Sequence, residues 1–324
     1  MNSIDRRTAL AGLFTTGAFA MAGGALAAGK PFFERVTLPI GLQVYTLGAD
    51  AGRDLDATFT QVAAIGYREV ELPNLYGRKP AEIRAAADKA GLAISSLHLA
   101  VTTRGAPTGL SLMSPSAEIA ESLRTLGAKQ GVLPIAPFPD DFRPQPGDNV
   151  QAAIGRAFAQ AGPDLWRRTA ALLNEKGAML KSAGIGLGYH NHNIEFAPFP
   201  QPSPKAANGW DVLVEETDPA LVHFEIDTGW IATAGFDPAD FLRRHRGRVT
   251  QLHVKDVAPG NTVNFGLSMK PAEIGSGTLD WARILPAAHD AGVRHFYVEQ
   301  EPPFTIPRIE AARKSYGFLA RVHA

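Results

Sequence analysis

The most restrictive feature of this chain is its alternation of strand-type and helix-type segments. Short apolar runs begin near residues 40 (IGLQVYTL), 67 (YREVEL), 93 (AISSLHLA), 132 (VLPI), 185 (IGLGYHNH), 222 (VHFEID), 249 (VTQLHVKD) and 295 (HFYVEQ). Amphipathic stretches lie between them, and that pitch suits a βα repeat. Leu55, Phe59, Val62 and Ala63 mark one helical face. Leu165, Leu172, Leu173, Met179 and Leu180 predict a second, and Trp281, Ile284, Leu285 and Ala288 a third. Gly66, Gly91, Gly184 and Gly292 stand where helices must end, and glycine supplies a left-handed cap there. The strands read as apolar runs rather than clean alternations, as expected of a parallel sheet covered by helices. Eight units without a second composition class predict one α/β domain, a single (β/α)8 TIM barrel over residues 28–324. A doubly wound sheet is the alternative, but no GxGxxG or P-loop follows the first strand.

Composition narrows the chemistry. The 324 residues include no Cys, which excludes disulfides, thiolate metal sites and Cys nucleophiles. Lys+Arg and Asp+Glu number 32 each, so no basic surplus points to nucleic acid. Residues 1–27 read as a cleavable signal peptide: Arg6-Arg7 precede an uncharged Gly/Ala/Thr-rich stretch that ends at Ala25-Leu26-Ala27. The paired arginines resemble a twin-arginine signal, which implies the twin-arginine export machinery as a partner and a cofactor loaded before export. The mature protein is then expected to be periplasmic or secreted. No later apolar run is long enough for a membrane span. Segments 101–114 and 136–163 break the pitch after the third and fourth strands, where they are expected to cap the strands' C-terminal face.

Polar residues gather where such a barrel does its chemistry. The apolar strands end in Glu69/Glu71, His98, His190/His192, Glu225/Asp227, His253/Lys255/Asp256 and Glu299/Glu301. All strand C-termini of a (β/α)8 barrel point to one mouth. Charged groups buried there are costly unless paired or bound to a cation. Asp227, His253 and Glu299 close strands six, seven and eight, so they converge although remote in sequence. One imidazole and two carboxylates suit one divalent ion: Mn2+, Mg2+, Co2+, Fe2+ or Zn2+.

The strings IGLQVYTL, GYREVEL, GYHNHNIEF, EIDTGW, LHVKD, EIGSGTLDW and YVEQE, in this order across residues 40–301, resemble the xylose isomerase-like TIM-barrel superfamily, in its sugar phosphate isomerase/epimerase branch. The resemblance implies a divalent ion held by one residue from each of strands five to eight. By position these are His190, Asp227, His253 and Glu299, with His192 the alternative on strand five. Many epimerases of the family carry Glu at the strand-five position and use it with the strand-eight carboxylate as paired acid and base. An imidazole bound to metal has no free lone pair for that work. Inosose dehydratases of the same superfamily carry a His-rich strand five similar to this one. The resemblance therefore implies a metal-dependent sugar isomerase or epimerase, with a lyase or dehydratase of a keto-glycoside or inosose as the alternative.

The expected mechanism is proton removal beside a carbonyl, giving an enediolate. Glu299 is the expected proton-transfer carboxylate, with His192 as alternative, and Lys255 stabilises developing negative charge. Glu71 and His98 are candidates for binding sugar hydroxyls, and Trp230 and Phe196 for packing on the ring. Gly275-Ser276-Gly277 follows strand seven, where such barrels often bind phosphate, but no basic cluster accompanies it. An unphosphorylated sugar or keto-sugar is thus the expected partner.

Overall fold

The computed structural model describes residues 29–101, 109–139, 142–144, 147, 149–201 and 206–324. The expected leader, residues 1–27, lies outside the described residues. Eight parallel strands close a barrel: β1 (Gly41–Gln43), β2 (Glu69–Leu72), β3 (Ala93–His98), β4 (Gln130–Leu133), β5 (Gly186–His190), β6 (Val222–Asp227), β7 (Val249–Val254) and β8 (His295–Val298). Each neighbours the next, and β8 closes on β1. All eight fall where the apolar runs predict them.

The strands alternate after all, which corrects the expectation of apolar runs. Val70, Leu72, Phe224, Ile226, Leu252 and Val254 belong to the apolar core under the helices. The residues between them, Glu69, Glu71, Glu225, Asp227, Gln251 and His253, are buried polar groups. They point into the lumen, because His98 on β3 reaches Glu225 on β6 across it. Side chains on a strand alternate between its two faces, so one face feeds the packed layer and the other feeds a polar axis. Register sets the pairs: His190 lies opposite Glu225 and His253 opposite Asp227.

The outer helices follow the predicted faces with one exception. Helix Gly162–Ser182 buries Leu165, Leu173 and Leu180, but Met179 is exposed, one position off the apolar stripe. Gly91 caps helix Pro80–Ala90 in the left-handed conformation. At Gly66 a Cβ would lie 2.3 Å from the Tyr316 ring, so close packing as well as φ demands glycine. The segment expected as a capping loop at 136–163 contains a helix, Val150–Gln160, capped by the Asn149 side chain. No described helix is long and apolar enough to cross a membrane.

The glycine-rich turn after β7 has a structural task. The buried Asp256 carboxylate accepts from the backbone N–H groups of Val257, Gly275, Gly277 and Leu279 and from Trp281 Nε1. A Cβ at Gly277 would lie 2.2 Å from that carboxylate. An internal anion thus takes the amides that a phosphate would need. Asp256→Ala takes the acceptor from five donors, two of which, Val257 N and Trp281 Nε1, are in buried bonds, and is expected to cost about 3 kcal/mol. Urea denaturation checks this; an unchanged midpoint would remove Asp256 as the organiser of the turn.

Candidate metal centre

The strand ends are fixed by the motifs that carry the polar residues. In E-I-D-T-G-W, Asp227 ends β6 and caps the next helix, accepting from Trp230 N at 2.9 Å through Oδ1. Its Oδ2 faces Lys255 Nζ at 2.7 Å. Thr228 Oγ1 accepts from Lys255 N at 3.0 Å and lies 2.8 Å from its carbonyl, tying β6 to the chain just after β7. Gly229 leaves room for the lysine stem, which a Cβ would meet at 2.8 Å. In Y-H-N-H-N-I-E, Asn191 Oδ1 accepts from Asp227 N. Glu195 accepts from Tyr189 Oη at 2.6 Å and from His192 N at 3.0 Å. Asn193 reaches the loop after β7 through Asn264 and Leu267.

These supports bring His190, Asp227, His253 and Glu299 together, all four buried, with ligand-type atoms within 4.8 Å of one another. Metal bonds of about 2.0–2.2 Å place such atoms roughly 4 Å apart or less, so a small contraction suffices. His192, the alternative, is outside this group. A second set, His98, His190, Glu225 and His253, meets the same limit. It lies one layer deeper, since Glu225 precedes Asp227 by two residues on β6. His253 links the layers: Nδ1 is 2.8 Å from Glu299, and Nε2 is 2.6 Å from Glu71. Glu225 Oε2 lies 3.1–3.2 Å from His98, His190 and His253.

The donor set fits a divalent cation, and the charges say why. Four carboxylates, those of Glu71, Glu225, Asp227 and Glu299, are buried. The one ammonium among them, Lys255, lies 2.7 Å from both Asp227 and Glu299. Burial opposes charge on Lys255, but those carboxylates hold its pKa well above the ordinary value. Burial likewise opposes charge on His98, yet Glu71 and Glu225 push it up to about 9. His253 is raised by Glu225 and Glu299 against the same opposition. His190 is pushed down, first by burial and then by His253. Two imidazoles therefore hold protons where the acids need cations. A divalent ion held by His190, Asp227, His253 and Glu299 would supply such charge and take the place of the proton on His253.

Several expected site residues have other surroundings. Glu71 is fully buried and engaged by Gln43, His98, His253 and Gln251. It supports the histidines from below rather than binding a sugar hydroxyl. His98 is likewise held by Glu71 and Glu225. Phe196 is core, stacked 5.6 Å from Trp210. Lys255 is occupied by three carboxylates, Glu301 at 3.3 Å being the third. Trp230 lines the cavity above the cluster with its Nε1 unpartnered, and so does His192 with its Nδ1 unpartnered. Burial and then Lys255 lower His192 to about 3, so this imidazole is neutral. Glu225 and Glu301 are named from sequence at strand ends without a role, and Glu195 is not named: the inward register of Glu225 shows only in the barrel, and Glu301 is the carboxylate that lines the cavity. The signal for Glu301 was its two-residue offset from Glu299.

The profile of the family described as xylose isomerase-like TIM barrel matches residues 59–322. Among curated proteins, the inosose dehydratase of Geobacillus kaustophilus is 24% identical over 202 residues, covering 62% of each chain, so the match spans less than two thirds of that relative. Among solved structures, a sugar phosphate isomerase/epimerase from Parabacteroides distasonis superposes with a TM-score of 0.67 at 21% identity, over 87% of this chain and 97% of that one. The IOLI protein with a bound zinc atom superposes at 0.57 with 13% identity, over 87% and 98%. At these identities the structures show the fold alone.

The Glu195 carboxyl is fully buried, and burial raises it from an ordinary 4.5 to about 7. The folded state thus favours its neutral form. That contribution is intact below the unfolded value and is lost as pH rises through about 7, a change of about 3 kcal/mol. Glu195→Gln is expected to abolish this loss. Urea unfolding of both proteins in chelator, at about pH 5 and about pH 8, should show the variant gaining on the parent at the higher pH. A constant difference would rule out the titration.

Proposed function

This chain belongs to the xylose isomerase-like TIM-barrel family, and on that premise we propose that it is a divalent-metal-dependent isomerase or epimerase. Its substrate in this reading is an unphosphorylated sugar or keto-sugar, which loses a proton beside a carbonyl. The observation that carries the reading is the convergence of His190, Asp227, His253 and Glu299 beneath a cavity. A bound divalent ion would supply Lewis acidity to adjacent carbonyl and hydroxyl oxygens of the substrate. Those four residues would hold it, with Glu71 and Glu225 orienting the imidazoles from behind.

The cavity-facing groups do the remaining work. Glu299 is pinned by His253 and Lys255, which keep it anionic and make it a poor base. Proton removal passes instead to Glu301, which lines the cavity. The neutral His192, three strands away around the barrel, lines the cavity and would contact the substrate there. The Tyr45 hydroxyl is pushed up to about 12 by burial and by Glu301, so it remains a donor at the rim. An unphosphorylated substrate is supported by the turn at Gly275–Gly277, whose amides are given to Asp256. The export expected of residues 1–27 favours the same class.

One observation favours the lyase reading as alternative. Epimerisation needs proton exchange on both faces of one carbon, and the β5 side of the cavity presents imidazole instead of a second carboxylate. Elimination needs a single base and a departing group. The likeness to inosose dehydratases supports the same alternative.

Incubation of metal-loaded protein with keto-sugars in D2O tests both readings. Deuterium is expected at a carbon beside the carbonyl, and product identity separates isomerase from lyase. Asp227→Ala and His253→Ala are each expected to abolish bound metal by elemental analysis. Glu301→Gln is expected to keep the metal and slow exchange about 10²–10⁴-fold. Full metal occupancy in the first pair would remove the centre, and exchange at the parental rate in the third variant would remove Glu301 as the base.

A further inference from the structure

His98, His190, Glu225 and His253 form a set of donors that the chemistry proposed above does not use together. They come from β3, β5, β6 and β7. All four are buried, with ligand-type atoms within 4.8 Å of one another. Around Glu225 the geometry is tighter than that limit. One oxygen, Glu225 Oε2, has three ring nitrogens about it: His190 Nδ1 at 3.1 Å, His98 Nε2 at 3.2 Å and His253 Nε2 at 3.2 Å. Gln251 holds the other oxygen, donating to Oε1 at 3.0 Å. A carboxylate oxygen has two lone pairs, so three nitrogens exceed what its hydrogen bonds can use, and His253 Nε2 already has Glu71 Oε1 at 2.6 Å. A tetrahedral ion with bonds of about 2.0–2.1 Å spaces its ligand atoms roughly 3.3 Å apart. The nitrogens stand from the oxygen at nearly that spacing.

This lower set and the upper one share His190 and His253, whereas His98 and Glu225 belong only to the lower and Asp227 and Glu299 only to the upper. His253 turns Nδ1 to Glu299 at 2.8 Å and Nε2 into the lower set. A neutral imidazole has one nitrogen free to accept, so His253 ligates above or below, not both. The two sets also differ in chemistry. Three imidazoles and one carboxylate meet below, two and two above. Imidazole suits zinc, while carboxylate suits manganese and magnesium. Glu71 Oε1, 3.0 Å from His98 Nε2 and 2.6 Å from His253 Nε2, brings a second negative charge beside the lower set, so that two carboxylates match a dication. Glu71 keeps its bonds from Gln43 and Gln251 when those imidazoles turn to an ion.

We propose that His98, His190, Glu225 and His253 form a second metal site, selective for Zn2+, whose occupation excludes an ion from the upper centre. Four protein donors complete a tetrahedral shell, and a zinc site closed in this way keeps no position for substrate. An ion below takes His190 and His253 from an ion above. Zn2+ and a harder ion such as Mn2+ therefore compete for the chain although they sit in different places. The site stands on its own geometry, and its consequence as an inactive state rests on the metal-dependent reading above.

X-ray absorption at the zinc edge, on the full parent chain loaded with Zn2+, counts the imidazoles around the ion. Three with one carboxylate are expected. Two with two carboxylates would put zinc in the upper set and overturn the proposal, as would failure of the chain to bind zinc. Competition of Zn2+ and of Mn2+ with a chromogenic chelator then separates the sets. His98→Gln is expected to weaken Zn2+ at least about tenfold more than Mn2+, the least that loss of a ligand costs where even a supporting group costs ~10–100-fold. Asp227→Ala is expected to lose Mn2+, the upper ion whose loss is expected above, and to keep Zn2+ within about tenfold of the parent. His253→Ala, common to both sets, is expected to lose both ions. Parallel loss of the two ions across the three variants, or Zn2+ binding unchanged by His98→Gln, would overturn the second site. Loss of Mn2+ in Asp227→Ala would still support the upper centre. The absorption measurement needs no variant, so it decides even where a substitution prevents folding.

Discussion

Everything at the mouth of this barrel depends on how four buried carboxylates are compensated. Glu71, Glu225, Asp227 and Glu299 have almost no contact with water, and charges so placed persist only when paired. One lysine and two proton-holding imidazoles answer them. The arrangement is layered. Glu71 and Glu225 hold the histidines from below, and Asp227 and Glu299 face them from above. Removing one carboxylate of the lower layer therefore alters the orientation of imidazoles in the upper one. The lower layer supplies the acceptors that metal-bound imidazoles ordinarily require for their second nitrogen.

The barrel was legible in the sequence because its outer face is built from residues whose hydrophobicity repeats. Phe59 and Val62 on one helix, and Ile284 and Leu285 on another, announce themselves by spacing and are buried as expected. The polar axis was only half legible. Asp227, His253 and Glu299 stood out as charges at the ends of apolar strands, and convergence followed from the fold. Glu225 has the same signal two residues earlier, but its inward direction depends on register, which no single strand reveals. Glu71 reads from the sequence as a candidate for binding a sugar hydroxyl; only the closed barrel shows His98, His253 and Gln251 engaging it.

The loops were least legible, and the physical reason is specific. Helix Val150–Gln160 is short and Ala-rich, and it follows a Pro- and Gly-rich stretch. It packs at Gly155 against a loop more than a hundred residues away and buries Phe158 against Phe138 and Trp166. Asn193 is similar: it reads as one more polar residue in a His-rich string, while its side chain organises the loop that carries Leu267. Such couplings join residues remote in sequence, so periodicity has no hold on them.

The single string G-Y-H-N-H-N-I-E-F shows how site and fold are joined. His190 turns to the cluster, Asn191 holds the β6 backbone at Asp227, and His192 turns to the cavity. Asn193 holds the loop after β7, and Glu195 ties Tyr189 to the His192 backbone. Five polar side chains within six residues thus serve the metal centre, the neighbouring strand, the cavity and the loop that lines it. A shift in the register of β5 would displace all of them together, because a one-residue slip turns every side chain to the opposite face. The metal-type donors and the substrate-facing groups therefore cannot vary independently in this chain. Replacing His190 by a carboxylate changes a donor on the same short segment that positions His192 and, through Asn193, Leu267.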